Sequence, residues 1–341
     1  MPVELFHHAF PKPGPTAALA CQLEAAGWDG LVLADSQNLV ADPFMELVLA
    51  ATGTRALQLG TATTNPVTRD PAVIATSMLT LQAESKGRAV LGISRGDSAL
   101  SLLGLPPAPM VEFERRVRWA RSYLRGEPVQ RGNMAARISW ATDLSLPPVP
   151  VDVHATGPRM LALGAVLADR LTVAVGADRE WVGWAIDTAR RAREAAGLDP
   201  YALQIGGFFM AATGQSPGEA VELVRGNVAI FAHIAGRDGT VPAAVPQDRQ
   251  DLISRAVRAY EEAEHGTSVS RAAQLLPEDF VRWFAVAGPP SEVVDRLSEL
   301  CSLGLRHLVL VGPARDIASP RAADAIARFD EAVVPALHAA T

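Results

Sequence analysis

Short runs of polar and glycine residues follow apolar, β-rich segments at five places in the sequence. They are Asp35-Ser36-Gln37-Asn38, Thr63-Thr64-Asn65-Pro66, Arg95-Gly96-Asp97-Ser98, Thr156-Gly157-Pro158-Arg159 and Gly176-Ala177-Asp178. Carboxyl, hydroxyl and amide groups bind and move protons, and glycine lets a ligand approach the backbone closely. The same residue types also form ordinary turns and helix caps. Five such runs, each placed after a candidate strand, favour a ligand site.

Carboxyl and imidazole groups are the candidates for proton transfer. Asp97 would be a general acid if it lies in a pocket, and its alternative role is to cap the helix that follows. His7 and His8 end the first candidate strand. Because side chains alternate along a strand, one of the two should face the interior of the sheet. That histidine could donate a proton or bind an anionic substrate, or it could pack with a satisfied hydrogen bond.

Two of the polar runs are suited to an anion. Ala155, Thr156 and Gly157 precede a helical pattern that opens with Pro158 and Arg159. The free N–H groups of a first helical turn and the helix dipole favour a phosphate there. The run Val175-Gly176-Ala177 offers a second close backbone approach, from the next strand. The sequence contains neither a Walker loop nor a GxGxxG after a strand, which argues against nucleoside triphosphate chemistry and a Rossmann site.

The elements that must position these runs alternate between β and α patterns. Eight apolar segments are predicted as strands, at residues 3–9, 30–34, 57–63, 88–94, 151–155, 170–175, 203–213 and 307–311. Helical patterns lie between them, and continuous apolar strands suit a parallel sheet covered by helices. Eight alternating units favour an α/β fold of the (β/α)8 TIM-barrel type over a doubly wound sheet. In a barrel, the loops after the strands gather at one face and carry the function.

The alternation of strand and helix patterns is interrupted at residues 236–290, where helical and Gly/Pro-rich segments are mixed. We therefore predict one domain over residues 1–341, with an insertion at about 236–290 before the last βα unit. The length of 341 residues exceeds the ~250 of a typical barrel, which leaves room for such an insertion. The insertion is expected to lie over the barrel mouth and to shape substrate specificity.

The charge and composition restrict the class of partner. The formal net charge is −6, and the sequence has no Lys/Arg run, which argues against nucleic acid as a partner. The start lacks the basic and apolar segments of a signal peptide, and no apolar stretch is long enough for a membrane span. These features predict a soluble cytoplasmic protein with a small-molecule substrate. Cys21 and Cys301 have no metal-ligand spacing, so no metal is expected.

The segment at residues 59–100 resembles the core from strand three to strand four of luciferase-like oxidoreductases. Within that superfamily it is most similar to the branch of methylenetetrahydromethanopterin reductase. Further matching motifs are ADSQ at 34–37, NP at 65–66, GR at 87–88, GxxRGDSA at 92–99 and ATGPRML at 155–161. The resemblance covers nearly the whole chain and is strongest in residues 27–100 and 150–178.

The resemblance implies a barrel that holds the deazaflavin coenzyme F420, or alternatively FMN, in its mouth. It also implies a cis peptide at Ala62–Thr63 beneath the ring. The positions implied for the cofactor are Ala62, Thr63, Asn65, Ser94, Gly96, Ala155, Thr156, Gly157, Pro158, Arg159, Val175, Gly176 and Ala177. Those implied or considered for catalysis are Asp97, Asp35, Ser36, His7 and His8. Deazaflavin enzymes often have Asp-His where this chain has Asp35-Ser36, so an imidazole that could donate a proton is missing.

These residues favour a coenzyme F420-dependent reductase or dehydrogenase that transfers hydride between C5 of the ring and a small organic substrate. The alternative is an FMN-dependent monooxygenase that receives reduced flavin from a separate reductase. A non-catalytic flavin-binding protein stays open, whereas a metal-dependent hydrolase is disfavoured because no HxH ligand spacing follows the strands. The resemblance also implies a homodimer formed through the early helices, including residues 71–85.

Overall fold

The computed structural model describes residues 3–142, 144–237 and 241–340. Its strands are β1 (Glu4–Ala9), β2 (Gly30–Leu33), β3 (Gln58–Thr61), β4 (Ala89–Ile93), β5 (Val129–Arg131), β6 (Met134–Ala136), β7 (Val151–Ala155), β8 (Arg170–Val173), β9 (Gln204–Thr213), β10 (Val286–Gly288) and β11 (His307–Val311). Its helices are α1 (Pro15–Ala25), α2 (Pro43–Gly53), α3 (Pro71–Glu84), α4 (Ser98–Ser101), α5 (Met110–Leu124), α6 (Pro158–Leu167), α7 (Arg179–Ala195), α8 (Pro217–Gly236), α9 (Gln247–Ala259), α10 (Arg271–Gln274), α11 (Glu278–Phe284), α12 (Pro290–Cys301) and α13 (Ser319–Ala340).

The large sheet has the strand order β10-β9-β11-β1-β2-β3-β4-β7-β8, and β9 also pairs with β8. This additional pairing closes a ring of eight strands, which are β1, β2, β3, β4, β7, β8, β9 and β11. Within this large sheet, the pairings with a determined register are parallel, for example Leu59 of β3 opposite Ala89 of β4. The fold is therefore the predicted closed (β/α)8 TIM barrel, and its eight strands are the eight segments predicted from the sequence.

The chain divides into two compact units. The N-terminal unit comprises His8–His154 and Val166–Arg170, and the C-terminal unit comprises Met1–His7, Ala155–Ala165 and Leu171–Thr341. Each unit is described in turn. The prediction of a single domain stays a prediction.

In the N-terminal unit, proline and aspartate fix where the helices begin. The side chain of Asp42 accepts hydrogen bonds from the N–H groups of Phe44 and Met45 at the start of α2. Asp70 does the same for Ala72 at the start of α3. Each helix has proline at its first position, where no N–H is needed. These starts fix the loops that connect β2 and β3 to their helices.

In the C-terminal unit, β9 is long enough to pair with two partners. Its residues 207–210 pair with β11, and its residues 211–213 pair with β10. The aromatic side chains of α11 pack in a buried cluster, in which the rings of Phe280 and Phe284 are stacked with centroids 5.8 Å apart. Trp283 of the same helix stacks on Trp181 of α7. The contact between Trp283 and Trp181 packs the inserted segment against α7.

The three strands β5, β6 and β10 were not predicted from the sequence. β5 and β6 form an antiparallel hairpin between α5 and β7. The strand β10 and helices α9 to α11 lie within the predicted insertion at 236–290. Among the residues that the structure describes, no helix has the length and apolar character needed to cross a membrane.

Candidate active site

The end of β3 carries a cis peptide bond between Ala62 and Thr63, at the predicted position. The carbonyl oxygen of Ala62 lies 3.0 Å from Nε2 of His8, within hydrogen-bond distance. The hydroxyl groups of Thr63 and Ser94 are hydrogen-bonded at 2.7 Å. The backbone N–H of Ser94 also donates to the carbonyl of Thr64, at 3.0 Å. The N-terminal unit thus brings together His8, Ala62, Thr63 and Ser94.

Asp35 is buried behind this group and binds three side chains. Its Oδ2 accepts hydrogen bonds from the Thr64 hydroxyl at 2.7 Å and from Nε of Arg69 at 3.2 Å. Its Oδ1 accepts from Nε2 of Gln37 at 2.6 Å. Because both carboxylate oxygens already accept hydrogen bonds, Asp35 holds the loop after β2 against the loop after β3. The assignment of Asp35 to catalysis stays a prediction.

Arg69 extends the same network to the start of α2. Its Nη2 donates to Oδ2 of Asp42 at 2.7 Å. Burial alone would raise the pKa of Asp42, but Arg69 and the N–H groups of Met45 and Phe44 bring that pKa below its usual value. The carboxylate of Asp42 therefore stays ionised and keeps the guanidinium of Arg69 in place. Sequence reasoning did not single out Arg69, since a lone arginine before a helix carries no pattern.

Ser36 is paired with a serine that sequence reasoning also missed. The hydroxyl groups of Ser36 and Ser98 lie 3.2 Å apart, and either can be the donor. The two loops are joined a second time by Nδ2 of Asn38, which donates to the carbonyl of Leu102 at 3.3 Å. Ser98 stands directly after Asp97 in the polar run at residues 95–98, and that position was the available signal.

Asp97 lies at the start of the short helix α4 and is half-buried. Its backbone carbonyl accepts from the N–H of Leu100 at 2.8 Å, while its side chain makes no capping hydrogen bond. The alternative role as a side-chain cap is therefore not observed. The preceding Gly96 has φ +92°, and a Cβ there would lie 2.4 Å from Cδ1 of Leu100. Only glycine fits this turn, so Gly96 determines how Asp97 is presented.

Nδ2 of Asn65 and Oε1 of Gln37 are buried side-chain atoms that have no hydrogen-bond partner among the described residues. The other amide atom of Asn65, Oδ1, accepts from the N–H groups of Val67 and Thr68 at 3.0 and 2.9 Å. A buried donor or acceptor without a partner is costly, which points to a ligand. The pyrimidinedione ring of a flavin or deazaflavin has carbonyl oxygens that accept and an N–H that donates. One amide donor and one amide acceptor fit that ring.

In the C-terminal unit, the predicted anion loop leads into α6. Ala155 is held by the N–H of Ala174, which donates to its carbonyl at 2.9 Å. Thr156 and Gly157 are half-buried before the helix, and Arg159 of the first turn is exposed. The first N–H groups of any helix lack acceptors within the helix, and Pro158 has no N–H. The loop thus keeps the features that bind a phosphate.

The second predicted anion stretch has a packing role. The N–H of Ala177 donates to the carbonyl of Phe284 at 2.8 Å. Gly176 has φ +80°, and a Cβ there would lie 2.9 Å from Cδ2 of Phe284. The glycine after Val175 therefore makes room for Phe284. A phosphate could use the N–H of Ala177 only if Phe284 moved away.

His7 does not join His8. Alternation along β1 places the two side chains on opposite faces of the strand. Burial lowers the pKa of His7 to about 4, so this imidazole is neutral at pH 7. Within the described parts of the chain, no group of three or more His, Cys, Asp or Glu side chains could hold a metal ion.

Comparison with known proteins gives the same family as the sequence motifs. The model of the luciferase-like monooxygenase family matches residues 4–307. The 5,10-methylenetetrahydromethanopterin reductase of Methanolobus tindarius is 25% identical over 300 residues, covering 85% of this chain and 87% of its own. The phthiodiolone/phenolphthiodiolone dimycocerosates ketoreductase of Mycobacterium tuberculosis is 27% identical over 277 residues, covering 75% and 69%.

Solved structures share the fold over almost the full length. The coenzyme F420-dependent tetrahydromethanopterin reductase from Methanopyrus kandleri superposes with a TM-score of 0.77 at 23% identity, covering 98% of this chain and 99% of its own. An F420-dependent secondary alcohol dehydrogenase gives 0.75 at 18% identity, with 99% of each chain covered. A monooxygenase from Streptomyces bottropensis gives 0.65 at 18% identity, with 97% and 99% covered. The predicted resemblance is confirmed: the chain is an oxidoreductase that belongs to the luciferase-like monooxygenase family.

Proposed function

We propose that this protein is a coenzyme F420-dependent oxidoreductase that transfers hydride between C5 of the deazaflavin and a small organic substrate. The observation that carries the proposal is that the curated relatives named above are reductases. They match 85% and 75% of the chain, and the family model spans residues 4–307, which include the polar loops after β2, β3 and β4.

The N-terminal unit would hold the ring of the cofactor. Nδ2 of Asn65 is the donor for a ring carbonyl, and Oε1 of Gln37 is the acceptor for the ring N–H. Thr63 and Ser94 line the backbone beside the cis peptide. In the C-terminal unit, the loop Ala155-Thr156-Gly157 and the first turn of α6 would bind a phosphate group.

The bound deazaflavin supplies two-electron hydride chemistry, and the protein supplies binding, orientation and proton handling. His8 fixes the carbonyl of Ala62, and Asp35 fixes the loop after β2 through Thr64. Asp97 is the candidate proton donor, since its side chain is half-buried and does not cap α4. The segment at residues 236–290 would shape specificity for the substrate.

The first test is a fluorescence titration of the purified protein with coenzyme F420 and, separately, with FMN. We expect tight binding of coenzyme F420 and weak binding of FMN. The bound deazaflavin should then exchange hydride with substrate in the absence of oxygen. Tight binding of FMN alone, with turnover that requires oxygen, would overturn the proposal and assign the protein to the flavin-dependent monooxygenases of its family.

A further inference from the structure

We propose that Arg116 of α5 is a positioning residue for the cofactor site. It holds the turn after β3 in the geometry that presents the amide of Asn65 to the pyrimidinedione edge of the ring. The inference rests on the part of the proposed function that places this ring against Asn65. It assigns the effect to a helix residue that lies outside the five polar runs of the sequence.

The amide of Asn65 has its orientation set by the turn that follows it. Its Oδ1 accepts hydrogen bonds from the N–H groups of Val67 and Thr68, at 3.0 and 2.9 Å. Asn65 is 1% exposed, and its Nδ2 is buried without a hydrogen-bond partner among the described residues. Because the amide group is planar, a displacement of the turn moves Nδ2 as well. The position of the unused donor therefore depends on how firmly the turn is held.

Arg116 connects this turn to α5. Its Nη1 donates to the carbonyl of Pro66, the residue next to Asn65, at 2.7 Å. Its Nε donates to Oε1 of Glu112, one turn earlier on the same helix. A guanidinium is planar and always charged, so these two hydrogen bonds fix its orientation and the one to the carbonyl is charge-assisted. The carbonyl beside Asn65 is thus fixed relative to a helix of 15 residues.

The far end of the same turn is held in a similar way. Nη2 of Arg131 in β5 donates to Oδ2 of Asp70, the residue that caps α3. The guanidinium of Arg131 also lies over the ring of Trp119 of α5, 4.6 Å from its centroid. Helix α5 therefore supports residues 65–70 at both ends, once directly and once through the β5–β6 hairpin.

A turn that is held in one geometry before a ligand arrives does not have to be ordered when the ligand binds. Without the bond from Arg116, the turn would adopt the binding geometry for only part of the time. The apparent Kd then rises by the reciprocal of that fraction. Once the ring is bound, the hydrogen bond from Nδ2 of Asn65 is the same with or without Arg116. Loss of Arg116 should therefore slow association, whereas loss of Nδ2 itself should speed dissociation.

The test compares Arg116→Met with Arg115→Met in the full chain. Arg115 is the matched control, because in the described part of the chain its side-chain hydrogen bond also goes to Glu112 and not to the turn. Stopped-flow fluorescence with coenzyme F420 measures the association and dissociation rates. Arg116→Met should bind about fivefold more weakly through a slower association, as for a turn that is competent about a fifth of the time. Arg115→Met should bind like the wild type, and Arg116→Lys, which keeps a donor, should recover most of the association rate.

A double-variant cycle separates the positioning of the amide from a general loosening of the fold. Asn65→Asp removes Nδ2 and keeps the oxygen that accepts from the turn. In that background Arg116→Met should cause little further loss of affinity, because no donor is left to position. Equal losses in the two backgrounds, or a faster dissociation with an unchanged association rate in Arg116→Met, would overturn the inference.

The same measurements with FMN distinguish this inference from the proposed function. FMN has the same pyrimidinedione edge, so the amide of Asn65 would meet either ring. Binding of FMN alone, with the same loss in Arg116→Met, would support the positioning role and overturn the assignment of coenzyme F420. Equal affinity of the wild type and Arg116→Met for coenzyme F420 would overturn the positioning role alone. A protein that binds neither ring would overturn both.

Discussion

The side chain of Asn65 uses one of its two polar atoms within the described residues and leaves the other for a ligand. Replacing it by aspartate keeps the oxygen that accepts from Val67 and Thr68 but removes the buried Nδ2 donor. We expect Asn65→Asp to weaken binding of coenzyme F420 by about tenfold, since a lost hydrogen bond is worth about 1.5 kcal/mol. Fluorescence titration measures this change.

The matched control for Asn65→Asp is Thr68→Val. The Thr68 hydroxyl donates to Oδ1 of Asn65 at 3.3 Å, and its removal leaves Nδ2 untouched. The control should keep the wild-type affinity for the cofactor. Unchanged affinity in Asn65→Asp would show that Nδ2 does not face the ring.

Residue type and position after a strand were enough to identify Asp35, Ser36, Thr63 and Asn65 as members of one region. They were not enough to assign roles. Both oxygens of the Asp35 carboxylate accept hydrogen bonds because Thr64, Gln37 and Arg69 converge on it, and this convergence depends on how two loops pack together. Ser98 escaped prediction for the same reason, since its partner Ser36 stands 62 residues away.

At the scale of elements, the segment from Tyr260 to Ser268 is held against α8 by buried titratable groups. The Tyr260 ring stacks on that of His233 with centroids 4.0 Å apart, and its hydroxyl is hydrogen-bonded to Nδ1 of His265. Burial raises the pKa of Tyr260 well above its usual value. Burial, helped by the charges of Arg315 and His233, lowers the pKa of His265 to about 4. Both groups are neutral at pH 7, so Tyr260 donates and His265 accepts.

This arrangement predicts that the free energy of unfolding already falls on acidification from pH 6.5, before the carboxylates titrate. In the unfolded chain His265 takes up a proton near pH 6.5, whereas in the folded protein it does so near pH 4. Between these values the unfolded state binds more protons, so the free energy of unfolding falls as the pH falls. Urea unfolding at a series of pH values from 7.5 to 4.5 measures the slope.

His265→Gln should reduce this slope, because glutamine cannot take up the proton. The slope should not vanish, since His7 is buried with its pKa also lowered to about 4, and burial lowers the pKa of His233 as well. An identical slope in the variant and in the wild type would contradict the neutral, buried state of His265.

The sequence predicted long elements better than short ones, for a physical reason. The barrel strands are apolar on both faces and are separated by helices, so periodicity identifies them. The strands β5, β6 and β10 have three residues each, which is too short for any period to show. β10 forms because β9 extends beyond its pairing with β11 and offers residues 211–213 to a new neighbour.

At the scale of the whole molecule, the count of eight alternating strand and helix patterns was sufficient to predict the closed barrel. The organisation of residues 236–290 depends on contacts that local patterns do not encode. Gly226 of α8 illustrates this, since a Cβ there would lie 2.7 Å from the backbone of Thr267. The sequence therefore showed that an insertion exists but not how it packs.

The proposed homodimer is a further property of the whole molecule, and it would form through an exposed apolar surface on two early helices. Met45 and Leu49, one turn apart on α2, are 71% and 51% exposed, and Val73 on α3 is 50% exposed. Burying such a surface is favourable, and a stable interface needs about 800 Å² from each partner. We expect a mass of about 72 kDa, twice the 36.1 kDa of the chain, in sedimentation at micromolar concentration.

The double variant Met45→Glu and Leu49→Glu should sediment as a monomer, because it places two carboxylates of each copy in the contact. Val269→Glu, which changes an apolar residue that is 74% exposed elsewhere, should remain dimeric. A wild type that is monomeric, or a double variant that still dimerises, would show that this surface is not the interface.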